Sequence, residues 1–165
     1  MKKDKILFVC LGNICRSPLA EGIMLHYVQK YKLPLIVDSA AIAPYHIGEH
    51  PDRRTILNAK KHNIDLSSLV ARQFKYSDFL EFDKIYVMDE SHYNHLKQMA
   101  KDENLMKKVN YLMNVLYPAQ NIEIPDPYYG TEQDFENVFQ MIHSACKKLV
   151  EQYAEIKITD VENKI

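Results

Sequence analysis

Short apolar runs alternate with amphipathic segments about four times along this chain. The apolar runs cover residues 6–9, 35–37, 85–88 and 109–113. The segments between them place apolar residues three or four positions apart, as a helix with one buried face requires. In such an alternation each helix carries the chain back to the same end of the sheet, so the strands pair in parallel. The pattern predicts a single α/β domain in which helices cover both faces of a parallel sheet.

Capping residues and prolines predict the helix boundaries. Ser17 and Pro18 mark the start of the first helix, with Ser17 as its N-cap, because serine caps helices and proline fits their first turn. The later helices are expected over residues 52–62, over residues 90–100 and from Thr131 onward. Residues 118–130 contain three prolines and are expected to form a loop.

Length and composition limit the class of protein. A chain of 165 residues fits one domain with a core that needs no disulfides; we expect the domain over residues 1–155 and a C-terminal tail over residues 156–165. The formal net charge of -1 argues against nucleic-acid binding driven by overall charge. No apolar run approaches the roughly 18 residues of a membrane span. Three cysteines are an odd number and too few for a disulfide scaffold, which favours a cytoplasmic location.

The segment from Cys10 to Ser17 joins the first predicted strand to the first predicted helix and has the sequence CLGNICRS. Ligands of parallel α/β sheets bind at such strand-to-helix loops. Backbone N–H groups of the loop and the positive end of the helix dipole can together hold an anion. Gly12 has no Cβ and can adopt a positive φ, and Asn13 tolerates the left-handed conformation better than most residues. Arg16 adds a planar guanidinium that matches two oxygens of a phosphate.

Cys10 stands at the start of this loop. Backbone N–H groups, the helix dipole and Arg16 all favour the thiolate form of a cysteine in that position. A thiolate is a strong nucleophile, and beside an anion site it predicts attack on phosphorus with a cysteinyl-phosphate intermediate. Ser17 is close enough in sequence to donate a hydrogen bond to the thiolate or to the leaving sulfur.

A phosphatase also needs an acid that protonates the leaving oxygen. Asp126 lies between Pro125 and Pro127, which restrict its backbone and suit a fixed general acid. Tyr128 and Tyr129 follow and can flank a flat aromatic substrate. Aspartate and proline are equally typical of an ordinary surface turn, so the loop by itself leaves both interpretations open.

Residues 9–18 and residues 126–130 resemble the low-molecular-weight protein tyrosine phosphatases. The resemblance covers residues 5–155 at collinear spacing and includes the segments Asp38-Ser39-Ala40, Ala71-Arg72-Gln73 and Met88-Asp89-Glu90-Ser91. It implies a four-stranded parallel sheet. It also implies hydrolysis of phosphotyrosine in proteins and of small aryl phosphates, in two steps and without a metal or other cofactor.

The resemblance also implies roles for individual residues. Cys10 would be the nucleophile, Arg16 the phosphate clamp, and Asp126 the acid for the leaving phenol and then the base for water. Cys15 would form a reversible disulfide with the nucleophile; the alternative is a small buried residue that packs behind the loop. The residues expected to bind substrate are Leu11, Gly12, Asn13, Ile14, Cys15, Ser17, Tyr45 and Tyr128.

The same comparison identifies supporting residues and departures. Asn13 and Ser17 correspond, together with Ser39, to the polar network that holds the loop in the family. Many members have histidine where this chain has Leu69, and a small hydroxyl residue where it has Ile42. Ile14 matches the tyrosine-specific members, whereas a related arginine-phosphatase branch has threonine at that position.

Other functions fit parts of the same pattern. Arsenate reductases have a loop similar to this one, and it binds an oxyanion. Their reaction needs further cysteines, however, and the one cysteine of this chain outside the loop is Cys146, on an apolar helix face. A non-catalytic phosphotyrosine-binding module would usually lack the nucleophile or the acid. The histidine pairs 46/50 and 92/95 lack a third ligand, so no metal site is expected. The expected partners are phosphotyrosine proteins as substrates and phosphate or another oxyanion in the loop, with no nucleic acid and no membrane.

Overall fold

The structure is a computed structural model that describes residues 2–162, with side chains described through residue 155. Its strands are β1 (Asp4–Cys10), β2 (Leu35–Ala41), β3 (Lys84–Val87) and β4 (Val109–Tyr111). Its helices are α1 (Arg16–Tyr31), α2 (Arg53–Lys61), α3 (Asp78–Glu81), α4 (Glu90–Ala100), α5 (Glu103–Met106) and α6 (Glu132–Glu162). The four strands pair in parallel in the order β2-β1-β3-β4. The predicted α/β fold with a four-stranded parallel sheet is confirmed.

Successive residues of β1 alternate between two separate cores. Ile6 and Phe8 pack with apolar residues of α1 and α6, whereas Leu7 and Val9 pack with those of α3 and α4. All four side chains are fully buried. Because helices cover both faces of the central strand, every position in it must be apolar, which is why an unbroken apolar run marked it in the sequence.

The start of α1 differs from the prediction. The helix begins at Arg16, its N-cap residue is Cys15, and no side chain caps it. The prediction of Ser17 as N-cap is therefore wrong. The Ser17 hydroxyl instead lies in contact with the thiol of Cys10 and the side chain of Asn13. A tertiary contact at the loop has taken precedence over the capping role that local sequence favours.

Two helices, α3 and α5, were not predicted, and the fourth strand is shorter than expected. Each of the two helices has 4 residues. That length is about one turn, too short to show helical periodicity in a sequence. The strand β4 has 3 residues and is followed by a 3₁₀ turn over Leu112–Val115, so the apolar run at 109–113 combines two local structures.

The helix α6 continues through Glu162, and residues 163–165 lie outside the described part of the chain. The predicted boundary between a domain at residues 1–155 and a tail at residues 156–165 stays a prediction. Among the described residues, no helix combines the length and apolar character needed to cross a membrane.

The carboxyl edge of the sheet gathers three distant parts of the chain. Cys10 is the last residue of β1, and Asp89 lies two residues beyond the end of the neighbouring β3. The proline-rich loop returns to the same edge, where the N–H of Ile124 donates to the carbonyl of Met88 at 2.9 Å. This contact places Asp126 two residues further along the loop, close to the β1–α1 connection.

Candidate active site

A pocket of about 240 Å³ opens at this edge of the sheet. The β1–α1 loop, the β2–α2 connection and the proline-rich loop all contribute to it. Its lining residues are Cys10, Leu11, Gly12, Ile14, Cys15, Arg16, Tyr45, His46, Asp126, Tyr128 and Tyr129. The structure thus brings most of the sequence-predicted site residues together. Asn13 and Ser17 are exceptions, since both are buried beneath the loop rather than exposed to the pocket.

The tight turn of the loop depends on Asn13 rather than on Gly12. Asn13 has a φ of 57°, in the left-handed region that asparagine tolerates, whereas Gly12 does not have a positive φ. Gly12 therefore does not use the positive φ that a glycine allows. A Cβ at that position would lie 3.0 Å from Cδ2 of His46, so the imidazole would have to shift slightly to make room for a larger residue.

The side-chain amide of Asn13 sets the direction of the hydrogen bonds under the loop. Its Nδ2 donates to the Oγ of Ser17 at 2.7 Å and to the Oγ of Ser39 at 2.8 Å. The amide orientation is fixed because Oδ1 accepts from the backbone N–H of Arg72 at 3.1 Å. Since Ser17 accepts from Asn13, its own proton is free to donate to the Sγ of Cys10, which lies 3.0 Å away. The backbone N–H of Ser17 donates to the same sulfur at 3.4 Å. Both contacts place a hydrogen-bond donor on the sulfur.

The network ends at a buried carboxyl group. Ser39 accepts from Asn13, so its own proton donates to Oε1 of Glu21, at 2.5 Å. Glu21 is 9% exposed, and burial raises the pKa of its carboxyl from 4.5 to about 7. Leu69, where the resemblance implies a histidine, packs its side chain against the apolar cluster of α1 and α6. Glu21 therefore closes the network in this chain, a role that the sequence analysis missed.

Arg16 is buried at 3% exposure and held by residues from two other loops. Its Nη1 donates to Oδ2 of Asp89 and to the carbonyl of Ile124, both at 2.9 Å. Its Nη2 lies 3.4 Å from Nε2 of His92. A guanidinium has five N–H donors, so these three contacts leave Nε–H and one N–H of Nη2. Two remaining donors suit two oxygens of one phosphate group.

His92 supports Arg16 as a neutral ring. A guanidinium only donates hydrogen bonds, so Nε2 of His92 must accept, and the ring proton must sit on Nδ1. Burial, together with the positive charge of Arg16, lowers the pKa of His92 to about 4, which keeps the ring neutral at physiological pH. Its Nδ1 lies 3.5 Å from Oδ1 of Asp89. The sequence analysis considered this histidine only as one of a metal-binding pair and missed its contact with the arginine.

Asp126 lies at the open edge of the pocket with a side chain that is 42% exposed. One carboxylate oxygen accepts from the backbone N–H of Tyr128 at 3.1 Å, and the other lies 3.7 Å from Nη2 of Arg16. Tyr128 and Tyr129 form an edge-to-face pair with centroids 4.9 Å apart, and Tyr45 is 70% exposed. An acid in this position can reach both a leaving group in the pocket and a water molecule from solvent.

The other two cysteines have different surroundings. Cys15 lines the pocket, but burial raises the pKa of its thiol to about 12, so it stays neutral and does not compete with Cys10 as a nucleophile. Cys146 is fully buried in the helix α6, where its Sγ lies 3.9 Å from the carbonyl of Ala20 in α1. Cys146 does not line the pocket, so it cannot serve there in the cysteine relay of an arsenate reductase.

Known proteins are similar to this chain in sequence and in fold. The family model described as low molecular weight phosphotyrosine protein phosphatase matches residues 5–159. The low molecular weight phosphotyrosine protein phosphatase of Gallus gallus is 41% identical over 149 residues, which cover 89% of this chain and 94% of that protein. A protein tyrosine phosphatase structure from Entamoeba histolytica has a TM-score of 0.84 and 36% identity, covering 94% of this chain and 99% of that chain. Vibrio vulnificus Wzb, solved in complex with benzylphosphonate, has a TM-score of 0.80 and 28% identity, covering 90% and 98% of the two chains.

Proposed function

Because the chain belongs to the low molecular weight phosphotyrosine protein phosphatase family, we propose that it hydrolyses phosphotyrosine through a phosphate ester of Cys10. The observation that carries this proposal is the hydrogen bonding around the Cys10 sulfur. Asn13 directs the Ser17 proton onto that sulfur, and Arg16 lies in the same pocket with two donors unused. The benzylphosphonate in the Vibrio vulnificus relative, an aromatic ring on a phosphonate, supports an aryl phosphate as the substrate.

In the first step the phosphate binds in the loop, where Nε–H and Nη2–H of Arg16 contact two of its oxygens. The Sγ of Cys10 attacks phosphorus, an S–P bond forms and the bond from phosphorus to the phenolic oxygen breaks. Asp126 donates its proton to that oxygen, so the tyrosine leaves as a neutral phenol. Tyr45 and Tyr128 form the pocket walls beside the ring of the substrate.

In the second step Asp126, now a carboxylate, takes a proton from a water molecule that attacks phosphorus. The S–P bond breaks, the electron pair returns to Cys10 as thiolate, and inorganic phosphate leaves. The Ser17 hydroxyl donates to the sulfur throughout, and its hydrogen bond strengthens as negative charge returns to the leaving thiolate. The cycle requires a reduced Cys10, so we also propose that the enzyme works in a reducing compartment, the cytoplasm.

The test is hydrolysis of p-nitrophenyl phosphate and of a phosphotyrosine peptide in the presence of EDTA. We expect turnover by the wild type, and loss of at least about a thousandfold for Cys10→Ser, because the thiolate is the group that forms the intermediate. Cys146→Ala removes a thiol outside the pocket and should retain turnover. Wild-type turnover that survives in Cys10→Ser would refute the cysteinyl-phosphate route. Binding of the peptide without hydrolysis would instead support the non-catalytic binding module.

A further inference from the structure

A second concavity, about 450 Å³ in volume, lies between the helices α2 and α6. We call it the α2–α6 groove. Its lining residues are Arg54, Leu57, Asn58, Lys60, Lys61, Glu132 and Phe135. None of these residues takes part in the hydrolysis described above.

Arg54 lies between a residue of the catalytic pocket and a residue of the groove. Its guanidinium carbon lies 5.3 Å from the ring centroid of Tyr128, a pocket residue, and 4.7 Å from that of Phe135, a groove residue. Asp52 holds the guanidinium from a third side, with contacts of 3.0 Å and 2.9 Å. The two aromatic rings therefore lie no more than about 10 Å apart, a distance that an extended chain covers in about three residues.

The exposed charge of the groove is positive. The helix α2 has the sequence RRTILNAKK, with four basic residues and no acidic one, in a chain whose net charge is -1. Lys60 and Lys61 are exposed, and neither has an ion-pair partner within 4.0 Å in the part of the chain with described side chains. The opposite helix supplies one carboxylate, Glu132, and the exposed side chain of Leu57 supplies apolar surface.

The occupant that fits this surface is the substrate chain itself. A phosphotyrosine bound in the pocket continues into polypeptide on both sides, and this polypeptide must leave over the rim of the pocket. Arg54 is part of that rim, and the α2–α6 groove begins on its far side. We propose that the groove binds residues about three positions from the phosphotyrosine and selects substrates with acidic side chains there. This inference rests on the proposed function, because it assigns a second contact to the same substrate.

Two phosphotyrosine peptides that differ only at positions two to four on each side, with glutamate in one and lysine in the other, test the inference. Each kcat/KM is divided by that of the same protein for p-nitrophenyl phosphate, so general changes in activity cancel. We expect the wild type to prefer the acidic peptide by about 3- to 10-fold at low salt, since exposed ion pairs are individually weak. The preference should shrink in 0.5 M salt because the ions screen exposed charges.

The variant Lys60→Glu/Lys61→Glu should lose or reverse this preference. The matched control is Lys147→Glu/Lys148→Glu, which reverses two adjacent exposed lysines of α6 outside the groove lining and should keep it. Lysines in the last turn of a helix also stabilise it through the helix dipole, so a Lys60→Glu/Lys61→Glu variant that is less stable but equally selective would overturn the inference. Equal loss of preference in the control would overturn it as well. Hydrolysis of both peptides at equal rates refutes only the groove, whereas hydrolysis of neither refutes the proposed function.

Discussion

Replacing Glu21 by glutamine should remove a pH-dependent cost in stability from the network under the catalytic loop. The carboxyl of Glu21 is buried, and its pKa is raised from 4.5 to about 7. Between these two pH values the folded protein keeps the proton that the unfolded chain has released. The contribution of Glu21 to the free energy of unfolding therefore falls as pH rises. It is largest below about pH 4.5 and smallest above about pH 7.

The magnitude follows from the size of the shift. Each pKa unit corresponds to about 1.4 kcal/mol, so the change from 4.5 to about 7 amounts to roughly 3 kcal/mol in the free energy of unfolding. Glutamine keeps an oxygen that can accept from Ser39 but cannot ionise. Its buried amide adds a cost that does not depend on pH. The difference in stability between Glu21→Gln and the wild type should therefore shift by about 3 kcal/mol in favour of the variant from pH 4.5 to pH 8.

Urea unfolding of both proteins at several pH values between 4.5 and 8 measures this difference. The control is Glu103→Gln, which neutralises an exposed carboxylate in α5 and should give a curve almost parallel to that of the wild type. Parallel curves for Glu21→Gln and the wild type would refute the reasoning, because Glu21 would then have the same pKa in the folded and unfolded states. If Glu21→Gln instead gained stability relative to the wild type as the pH falls, the folded protein would prefer the carboxylate form of Glu21.

Two further predictions concern the groups around the pocket. Ser17→Ala removes the hydroxyl that donates to Cys10, so hydrolysis of the intermediate should slow by about 10- to 100-fold, measured as a larger pre-steady-state burst relative to turnover; an unchanged burst would contradict the role of the hydroxyl. His92→Leu removes an acceptor from Arg16 and should weaken inhibition by phosphate by about tenfold, whereas His92→Gln should retain more of it. Because the pKa of His92 is lowered to about 4, the pH–rate profile of His92→Gln should match that of the wild type in shape from pH 5 to 8, and a limb near pH 6.5 in the wild type that His92→Gln lacks would contradict a neutral ring.

The strand-to-helix loop could be predicted because its determinants are local. An apolar run that ends at a cysteine, followed by small and polar residues and a helix start, places the Cys10 loop at the sheet edge from sequence pattern alone. Ser17 shows the limit of this approach. The sequence allowed Ser17 both an N-cap role and a hydrogen bond to the thiolate, and only the folded loop shows that its hydroxyl contacts the sulfur seven residues earlier and does not cap the helix. Gly12 is similar, since the side chain that crowds a Cβ there comes from His46 in another loop.

The partners of Arg16 could not be predicted because they lie 73 to 108 residues away in sequence. One signal was nevertheless present: His92 shares a helical face with Leu96 and Ala100, and all three are buried. The neutral ring of this histidine also affects the net charge around the buried arginine. Asp89 already pairs with the guanidinium and Asp126 lies 3.7 Å from it, so a further carboxylate in the place of His92 would repel an incoming phosphate. A neutral imidazole satisfies one more donor of Arg16 without adding negative charge. The arginine is thereby fixed in place while the pocket still attracts an anion.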